Sequence, residues 1–162
     1  MKEKIREIAG SAIVGFTYSR SPAWTKSATV LVAGSDVKLD VPSKKIASYL
    51  EKGGFRTKIV DRYESGIDIR SLAISASLGS LGKNGLVVTP KFGPRARFSV
   101  VLSDAQIRPD KKDKFDYCNG CNKCIESCPC GAITEKFNMS ACAELNKDER
   151  CLRCIEACPV GK

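Results

Sequence analysis

The chain has 162 residues, of which 43% are hydrophobic, so it is long enough for one full domain and a small second one. Its formal net charge is +9, and it contains no histidine. The lack of histidine excludes a Rieske centre, histidine-ligated haem, a Cys2His2 zinc site and a Ser-His-Asp triad. A charged amino terminus without a long apolar run predicts a cytoplasmic protein that does not enter a membrane.

The first two thirds of the chain predict short helices that alternate with apolar strands. Helices are predicted at residues 2–9, 42–52 and 69–78. Strands are predicted at residues 12–16, 29–34, 55–60, 86–89 and 98–102. Pro42 is expected at the first helical position, where the missing N–H costs nothing. The helix at 69–78 is rich in serine and alanine, so another surface or a flat ligand could approach its backbone closely.

This alternation predicts a layered α/β domain, although it does not determine the order of the strands. Residues 109–116 form a charged linker with three lysines and three aspartates. We therefore predict an α+β protein in which an α/β domain at residues 1–108 precedes a bacterial-ferredoxin-like domain at residues 109–162.

A glycine-rich segment separates the third helix from the following strand. Its three glycines, Gly79, Gly82 and Gly85, recur every three residues and free backbone N–H groups, while Lys83 and Asn84 add donors. Such a loop can approach a phosphate or an amide-bearing cofactor, although the pattern alone also fits a tight helix–strand connection. The segment is not a P-loop, because Gly-Lys lacks the required spacing and the following Ser or Thr.

Most of the nine cysteines lie in two motifs near the end of the chain. The motifs are Cys118-x-x-Cys121-x-x-Cys124-x-x-x-Cys128-Pro129 and Cys151-x-x-Cys154-x-x-x-Cys158-Pro159. In the bacterial [4Fe–4S] pattern the fourth cysteine, which precedes proline, serves the other cluster. The spacing thus predicts one cluster on Cys118, Cys121, Cys124 and Cys158.

The second predicted cluster takes Cys128, Cys151 and Cys154 and needs one more ligand. A regular repeat would place that cysteine at position 148, which is an aspartate, so Cys142 is the expected replacement. The ninth cysteine, Cys130, is expected to be a buried small residue beside the cluster, with an exchangeable ligand or a reactive thiol as alternatives.

Three other interpretations of these cysteines were weighed. Disulfides are disfavoured because disulfide-rich scaffolds are usually short, secreted and without a core. Zinc is disfavoured because zinc knuckles usually lack the third cysteine and the following proline. A [3Fe–4S] centre would form at the second site if Cys142 did not reach it.

The order of these segments resembles a known family. The run Gly-x-x-Gly-Lys-Asn-Gly-Leu, then Thr-Pro-x-Phe-Gly-Pro-Arg-x-Arg, then the double-cluster motif, is similar to iron–sulfur proteins related to epoxyqueuosine reductase and corrinoid reductive dehalogenases. The resemblance covers about residues 28–162. It implies a cobalamin bound between the α/β domain and the clusters, whose cobalt would pass electrons to a substrate. It also supports Cys142 as a ligand.

The resemblance assigns cofactor-binding roles to one set of residues, namely Gly79, Gly82, Lys83, Asn84, Gly85 and Arg95. No catalytic residue can be assigned from it. Asp61 and Tyr63 fall near the region where the family carries its catalytic acid, but a turn acid at the end of a strand and a packed phenol are the favoured explanations.

Two functions follow as expectations. The first is an oxidoreductase that passes electrons through two [4Fe–4S] clusters to a corrinoid, as a reductase or a reductive activator. The alternative is an electron carrier that docks to a redox partner protein and has no cofactor or catalysis of its own. Nucleic-acid binding is disfavoured, because two clusters at about −2 each reduce the charge to roughly +5 and no basic stripe is present.

Overall fold

The computed structural model describes residues 1–21, 24–34, 39–60, 67–111, 116–118, 120–147 and 150–162. The helices are α1 (Lys2–Ala9), α2 (Asp40–Lys52), α3 (Ile69–Ser75), α4 (Lys123–Glu126), α5 (Met139–Leu145) and α6 (Arg153–Glu156). The strands are β1 (Ile13–Ser21), β2 (Trp24–Gly34), β3 (Thr57–Val60), β4 (Ser80–Leu81), β5 (Val87–Val88) and β6 (Arg97–Ser103). The predicted mixture of helices and strands is confirmed.

Contacts between Cα atoms divide the chain into two compact units. Unit 1 comprises Met1–Leu78 and Ala96–Asp113, and unit 2 comprises Gly79–Arg95 and Lys114–Lys162. The glycine-rich segment is therefore packed with the cysteine-rich segment, and not with the sheet on either side of it in sequence. The predicted domain boundary at residues 108 and 109 stays a prediction.

Unit 1 is built on a four-stranded antiparallel sheet in the order β1-β2-β6-β3. In this register Val14 pairs with Val32, Phe16 pairs with Val30, and Val30 pairs in turn with Val101. These side chains are buried on one face of the sheet with Ile5 and Ala9 of α1 and Ile46, Ala47 and Leu50 of α2. This apolar layer is the main core of unit 1.

The opposite face of the sheet carries α3. Gly15 alternates with Val14 and Phe16, and a Cβ there would lie 2.9 Å from Ala76 Cβ and 2.8 Å from Leu78 Cγ. The small side chains predicted to allow a close backbone approach therefore face strand β1. The helix ends at Ser75, earlier than predicted, and Ser77 adopts a positive φ of 56°.

The start of α2 differs from its prediction. Leu39 is the N-cap and the helix begins at Asp40, so Pro42 is the third helical residue rather than the first. The first four N–H groups of a helix have no intrahelical partner, so proline is tolerated anywhere in this turn. Ser43 N–H makes the first helical bond, to the Leu39 carbonyl oxygen at 3.1 Å.

The beginning of the predicted linker is attached to unit 1. Asp110 accepts hydrogen bonds from Lys2 Nζ at 2.7 Å, from Arg6 at 3.1 Å and from the Phe16 N–H at 3.1 Å. The Asp110 N–H in turn donates to the Phe16 carbonyl oxygen at 2.8 Å. One carboxylate thus joins α1, β1 and the segment after β6.

Replacing this carboxylate tests its importance for unit 1. We expect Asp110→Ala to lower the free energy of unfolding by about 1–3 kcal/mol, because the Phe16 N–H loses its acceptor and Lys2 and Arg6 lose their counter-charge. Urea unfolding followed by the fluorescence of the single tryptophan measures this change. Glu7→Ala, which breaks only an exposed pair with Lys4, should change stability by less than about 0.5 kcal/mol. Equal effects would contradict the assignment.

Unit 2 contains the β4–β5 hairpin and three short helices. Ser80 pairs with Val88 and Leu81 pairs with Val87, so the turn of the hairpin is the Gly82–Leu86 part of the glycine-rich segment. Helices α4 and α6 contact each other. Helix α4 contains the third cysteine of its motif, and α6 contains the second cysteine of its own motif. In the described part of the chain, no helix has the length and apolar character needed to cross a membrane.

Candidate metal centres

One group of cysteines lines a cavity in unit 2. Four cysteines line it, namely Cys118, Cys121, Cys124 and Cys158. Its remaining wall comprises Asn84, Val88, Tyr117, Lys123, Pro159 and Val160. The structure thus brings together the four residues predicted to bind the first cluster, including the one from the distant motif.

A second group lines a larger cavity. Its cysteines are Cys128, Cys130, Cys142, Cys151 and Cys154. Apolar side chains complete the wall, namely Leu86, Pro129, Ile133, Phe137, Leu145 and Ile155, together with Asn84. The predicted second set is therefore assembled here, with Cys130 as a fifth thiol.

The exchange of cysteines between motifs follows from local backbone geometry. Cys121 N–H donates to the Cys118 carbonyl oxygen at 3.2 Å, and Gly120 adopts a φ of 69°, so the first motif turns tightly before α4. After α4, Cys128 N–H donates to the Ile125 carbonyl oxygen at 3.2 Å. The chain then leaves towards the second cavity. The second motif contributes Cys151 and Cys154 to the second cavity and carries Cys158 to the first cavity.

Helix α5 places the cysteine that breaks the regular spacing. Asn138 caps this helix by accepting a hydrogen bond from the Ala141 N–H at 3.1 Å. One turn after Cys142, Asn146 Nδ2 donates to the Cys142 carbonyl oxygen at 2.8 Å and lies 3.6 Å from Cys142 Sγ. The Asn146 Oδ1 accepts from the Cys151 N–H at 3.0 Å. Asn146 therefore links two of the predicted ligands.

The electrostatics show that the thiols within each group are close together. Burial raises the pKa of Cys124, and the negative charge of Cys118 raises it further. Burial likewise raises the pKa of Cys154, followed by the charges of Cys142 and Cys151. Grouped thiols resist ionising together in the absence of a compensating cation, and a bound metal reverses this because it deprotonates its thiols.

The pKa of Cys128 shifts in the opposite direction, to below its ordinary value. Burial acts to raise its pKa, but backbone N–H groups of Ala132, Cys130 and Ile133 outweigh burial and lower the pKa. The turn after Pro129 therefore offers several donors to one sulfur, with Gly131 at a φ of 61°. Cys130 Sγ lies 3.8 Å from Cys128 Sγ in the same turn.

Lys83 and Arg95, two of the predicted cofactor-binding residues, bind the cysteine segments directly. Lys83 Nζ donates to the Cys121 carbonyl oxygen at 2.9 Å and to Asn122 Oδ1 at 2.7 Å. Arg95 donates to the Ile155 carbonyl oxygen at 2.8 Å, to that of Cys158 at 3.5 Å and to that of Val160. Both cations thus hold backbone carbonyl groups next to predicted ligands.

The glycines of the segment are required by packing within unit 2. A Cβ at Gly79 would collide with the Val88 carbonyl oxygen, and one at Gly85, where φ is 73°, would lie 2.7 Å from the Phe137 ring. A Cβ at Gly82 would lie 2.7 Å from Val88 Cγ2. The close approach that these glycines allow is to their own chain. Their role in holding a corrinoid stays a prediction.

Asn84, in the same loop, has a buried amide nitrogen without a hydrogen-bond partner in the described part of the chain. It is 4% exposed, lines both cavities, and its Oδ1 accepts from the Leu86 N–H at 3.3 Å. Its Nδ2 is the one buried side-chain nitrogen or oxygen of the described residues without a hydrogen-bond partner. A buried amide nitrogen without an acceptor is costly, which indicates that a group outside the protein satisfies it.

Some predictions cannot be judged from this arrangement. Asp61, Tyr63 and Asp148 lie outside the described residues. In the described ranges, no group of three or more His, Cys, Asp or Glu side chains is spaced to hold one metal ion. The eight cysteines are free thiols here, so their role as cluster ligands stays a prediction.

Sequence reasoning missed several residues of the two sites. Tyr117 borders the first cavity, and burial raises its pKa. Phe137 and Leu145 border the second cavity, and Asn146 holds Cys142. The position of Asn146, four residues after a cysteine in a helix, was a usable signal because residues four apart share a helix face.

Comparisons with known proteins identify sequence relatives. A tetrachloroethene reductive dehalogenase from Desulfitobacterium hafniense is 38% identical over 119 residues, which cover 72% of this chain and 21% of that protein. An epoxyqueuosine reductase from Bacillus cereus is 36% identical over 66 residues, which cover 41% of this chain and 17% of that protein. The chain thus spans about a fifth of the length of these relatives. No family model matches it.

Solved structures share the fold. Epoxyqueuosine reductase from Bacillus subtilis superposes with a TM-score of 0.77 at 19% identity and covers 99% of this chain and 65% of its own. A reductive dehalogenase described in connection with B12-dependent dehalogenation superposes with a TM-score of 0.80 at 19% identity, covering 99% of this chain and 32% of its own. The fold similarity extends through both compact units.

Proposed function

Because this chain belongs to the oxidoreductase family that contains epoxyqueuosine reductase and the reductive dehalogenases, we propose that it relays electrons through two [4Fe–4S] clusters. Family membership supports a redox enzyme, and the cysteines supply the chemistry. Each cluster exchanges one electron at a time, and a redox partner protein supplies or receives that electron.

One observation carries this proposal. The nine cysteines sort into a group of four around one cavity and a group of five around the other. The first group takes Cys158 from the second motif, and the second group takes Cys128 from the first motif and Cys142 from α5. Four thiolates for each cluster is the ligand number that [4Fe–4S] centres take. The orphaned Asn84 Nδ2 at both cavities also fits, because cluster sulfur atoms accept hydrogen bonds.

The surrounding residues have definable roles in such a relay. Ile133 and Phe137 exclude water from the second cavity, and low solvent access tunes the potential of a cluster. Lys83 and Arg95 fix the carbonyl groups beside Cys121 and Cys158, so the ligands keep their positions as the charge changes. Burial and the charges of Cys142 and Cys151 raise the pKa of Cys154, and the charge of Cys124 adds to this, which supports electron exchange between the two sites.

A corrinoid is the second candidate component, as the acceptor of the relayed electrons. It is favoured by family membership and by the B12-dependent dehalogenation named for one fold neighbour. When bound, a corrinoid supplies a reducible cobalt for substrate reduction. Lys83 and Arg95 are engaged within unit 2, so we assign no step of this chain to the corrinoid.

The alternative function is that of an electron carrier without its own catalysis. It is favoured by the contacts of Lys83, which engage the cysteine segment within the chain itself. Both functions need the same two clusters. They differ only in where the electrons go.

Elemental analysis of anaerobically purified and reconstituted protein tests the proposal. We expect about eight iron and about eight sulfide per chain, and two interacting paramagnetic signals on reduction. Retention of added cobalamin through gel filtration, with a changed absorption spectrum, would support the corrinoid acceptor. Transfer of electrons to a protein partner without cobalamin retention would support the carrier. About one or two zinc ions in place of iron would contradict both.

A further inference from the structure

The side-chain amide of Asn84 has unused donor capacity in a dry place. Its Nδ2 carries two N–H bonds and is buried without an acceptor, while its Oδ1 is occupied by the Leu86 N–H. The residue is 4% exposed, so water does not readily satisfy the amide from outside. Leaving such a donor unpaired is costly, so an acceptor is expected.

The two cavities identify where that acceptor lies. Asn84 is the one residue that borders both cysteine-lined cavities among the described residues. The cysteine sulfur atoms are the weak acceptors nearest to these cavities, and a cluster adds sulfur atoms that carry more negative charge. The hairpin fixes the amide, because Gly82 and Gly85 on either side of it pack against Val88 and Phe137.

We propose that Asn84 is a hydrogen-bond donor shared by the two iron–sulfur sites, with one N–H directed to a sulfur atom of each. This inference rests on the proposed function, since it requires both clusters. Asn84 is then a positioning residue that stabilises the reduced, more negative state of both clusters. Its removal should make both clusters harder to reduce, because N–H···S bonds strengthen as charge accumulates on sulfur.

The experiment uses full-length Asn84→Leu protein, which replaces the amide by an apolar group of similar shape. We expect it to retain about eight iron per chain. The reduction equilibrium of each cluster should become at least tenfold less favourable, about 59 mV for a one-electron couple. Redox titration followed by electron paramagnetic resonance measures both signals separately.

A second readout reports the hydrogen bond itself. After exchange into D2O, electron spin-echo spectroscopy of the reduced wild-type protein detects deuterons coupled to each cluster. Asn84→Leu should lose part of this coupling at both sites. If Asn84→Leu does not assemble clusters, Asn84→Ala replaces it in the same measurements. Asn138→Ser is the matched control, because Asn138 caps α5 at its own exposed end and serine retains the cap.

The outcomes separate this inference from the proposed function. Wild-type protein without eight irons would overturn both. Eight irons with unchanged potentials and unchanged deuteron coupling in Asn84→Leu would overturn only the inference. A change confined to one cluster would overturn the shared assignment, and equal changes in Asn138→Ser would show that the effect is not specific to the amide between the cavities.

Discussion

Replacement of Cys142 by serine is expected to remove one cluster and leave the other. Cys142 lies in the second cavity with Cys128, Cys151 and Cys154, and takes the place of a cysteine that the regular repeat lacks. Serine keeps the shape of the side chain but not the thiolate. Iron content should fall from about eight to about four, or to about seven if a [3Fe–4S] centre forms at the altered site. Iron analysis and paramagnetic resonance distinguish these results.

Cys130→Ser is the matched control for this experiment. Cys130 lies in the same cavity, 3.8 Å from the Cys128 sulfur, but is the thiol beyond the four that one cluster needs. We expect Cys130→Ser to keep about eight irons and both signals. Loss of the second cluster in Cys130→Ser, with no loss in Cys142→Ser, would reverse the assignment of these two cysteines.

Arg95→Met is expected to weaken the first site through the backbone that holds it. Its guanidinium donates to the carbonyl groups of Ile155, Cys158 and Val160, so its removal leaves three acceptors without a donor. Hydrogen bonds to charged groups contribute about 1.5–3 kcal/mol each, and partial exposure reduces this. We expect the free energy of unfolding to fall by about 3 kcal/mol in total. We also expect iron to be released to a chelator at least tenfold faster.

The control for this prediction lies two residues away. Arg97 is exposed at the start of β6, and Arg97→Met changes the net charge by the same amount. It should release iron at the wild-type rate. If both variants lose iron equally fast, the general charge of the protein, and not the three carbonyl contacts, sets cluster retention.

The close contacts of the glycine-rich segment with its own chain give it a structural role that its sequence did not indicate. The segment was predicted to approach a cofactor, and its close contacts in the described structure are with the cysteine segments and Phe137. Gly93 shows the same relationship, because a Cβ there would collide with the Val160 carbonyl oxygen, and its φ is 55°. The segment that follows β5 therefore packs against the residues after Cys158.

The sequence predicted the helices and strands of unit 1 and grouped the cysteines that line each cavity, whereas their role as cluster ligands stays a prediction. Short apolar runs indicated β1, β2 and β6, because strands buried in a core are apolar over several consecutive residues. The cysteine spacing defines the groups because a short turn and one helical turn leave few ways to surround one cluster. Helix ends were less accurate, as at Pro42, because several positions in a first turn are energetically equivalent.

Only the tertiary structure showed that residues 79–95 pack with the cysteine segments. It also showed that Lys83 and Arg95 bind backbone carbonyl groups of those segments. Such contacts join residues 38 to 65 positions apart, and no local pattern encodes which distant carbonyl a flexible cation will reach. The same holds for Asn84, whose burial between two sets of thiols depends on how the hairpin packs. The spacing of residues along the chain predicts local structure and candidate ligands. The pairing of distant segments depends instead on packing and on the need to satisfy buried polar groups.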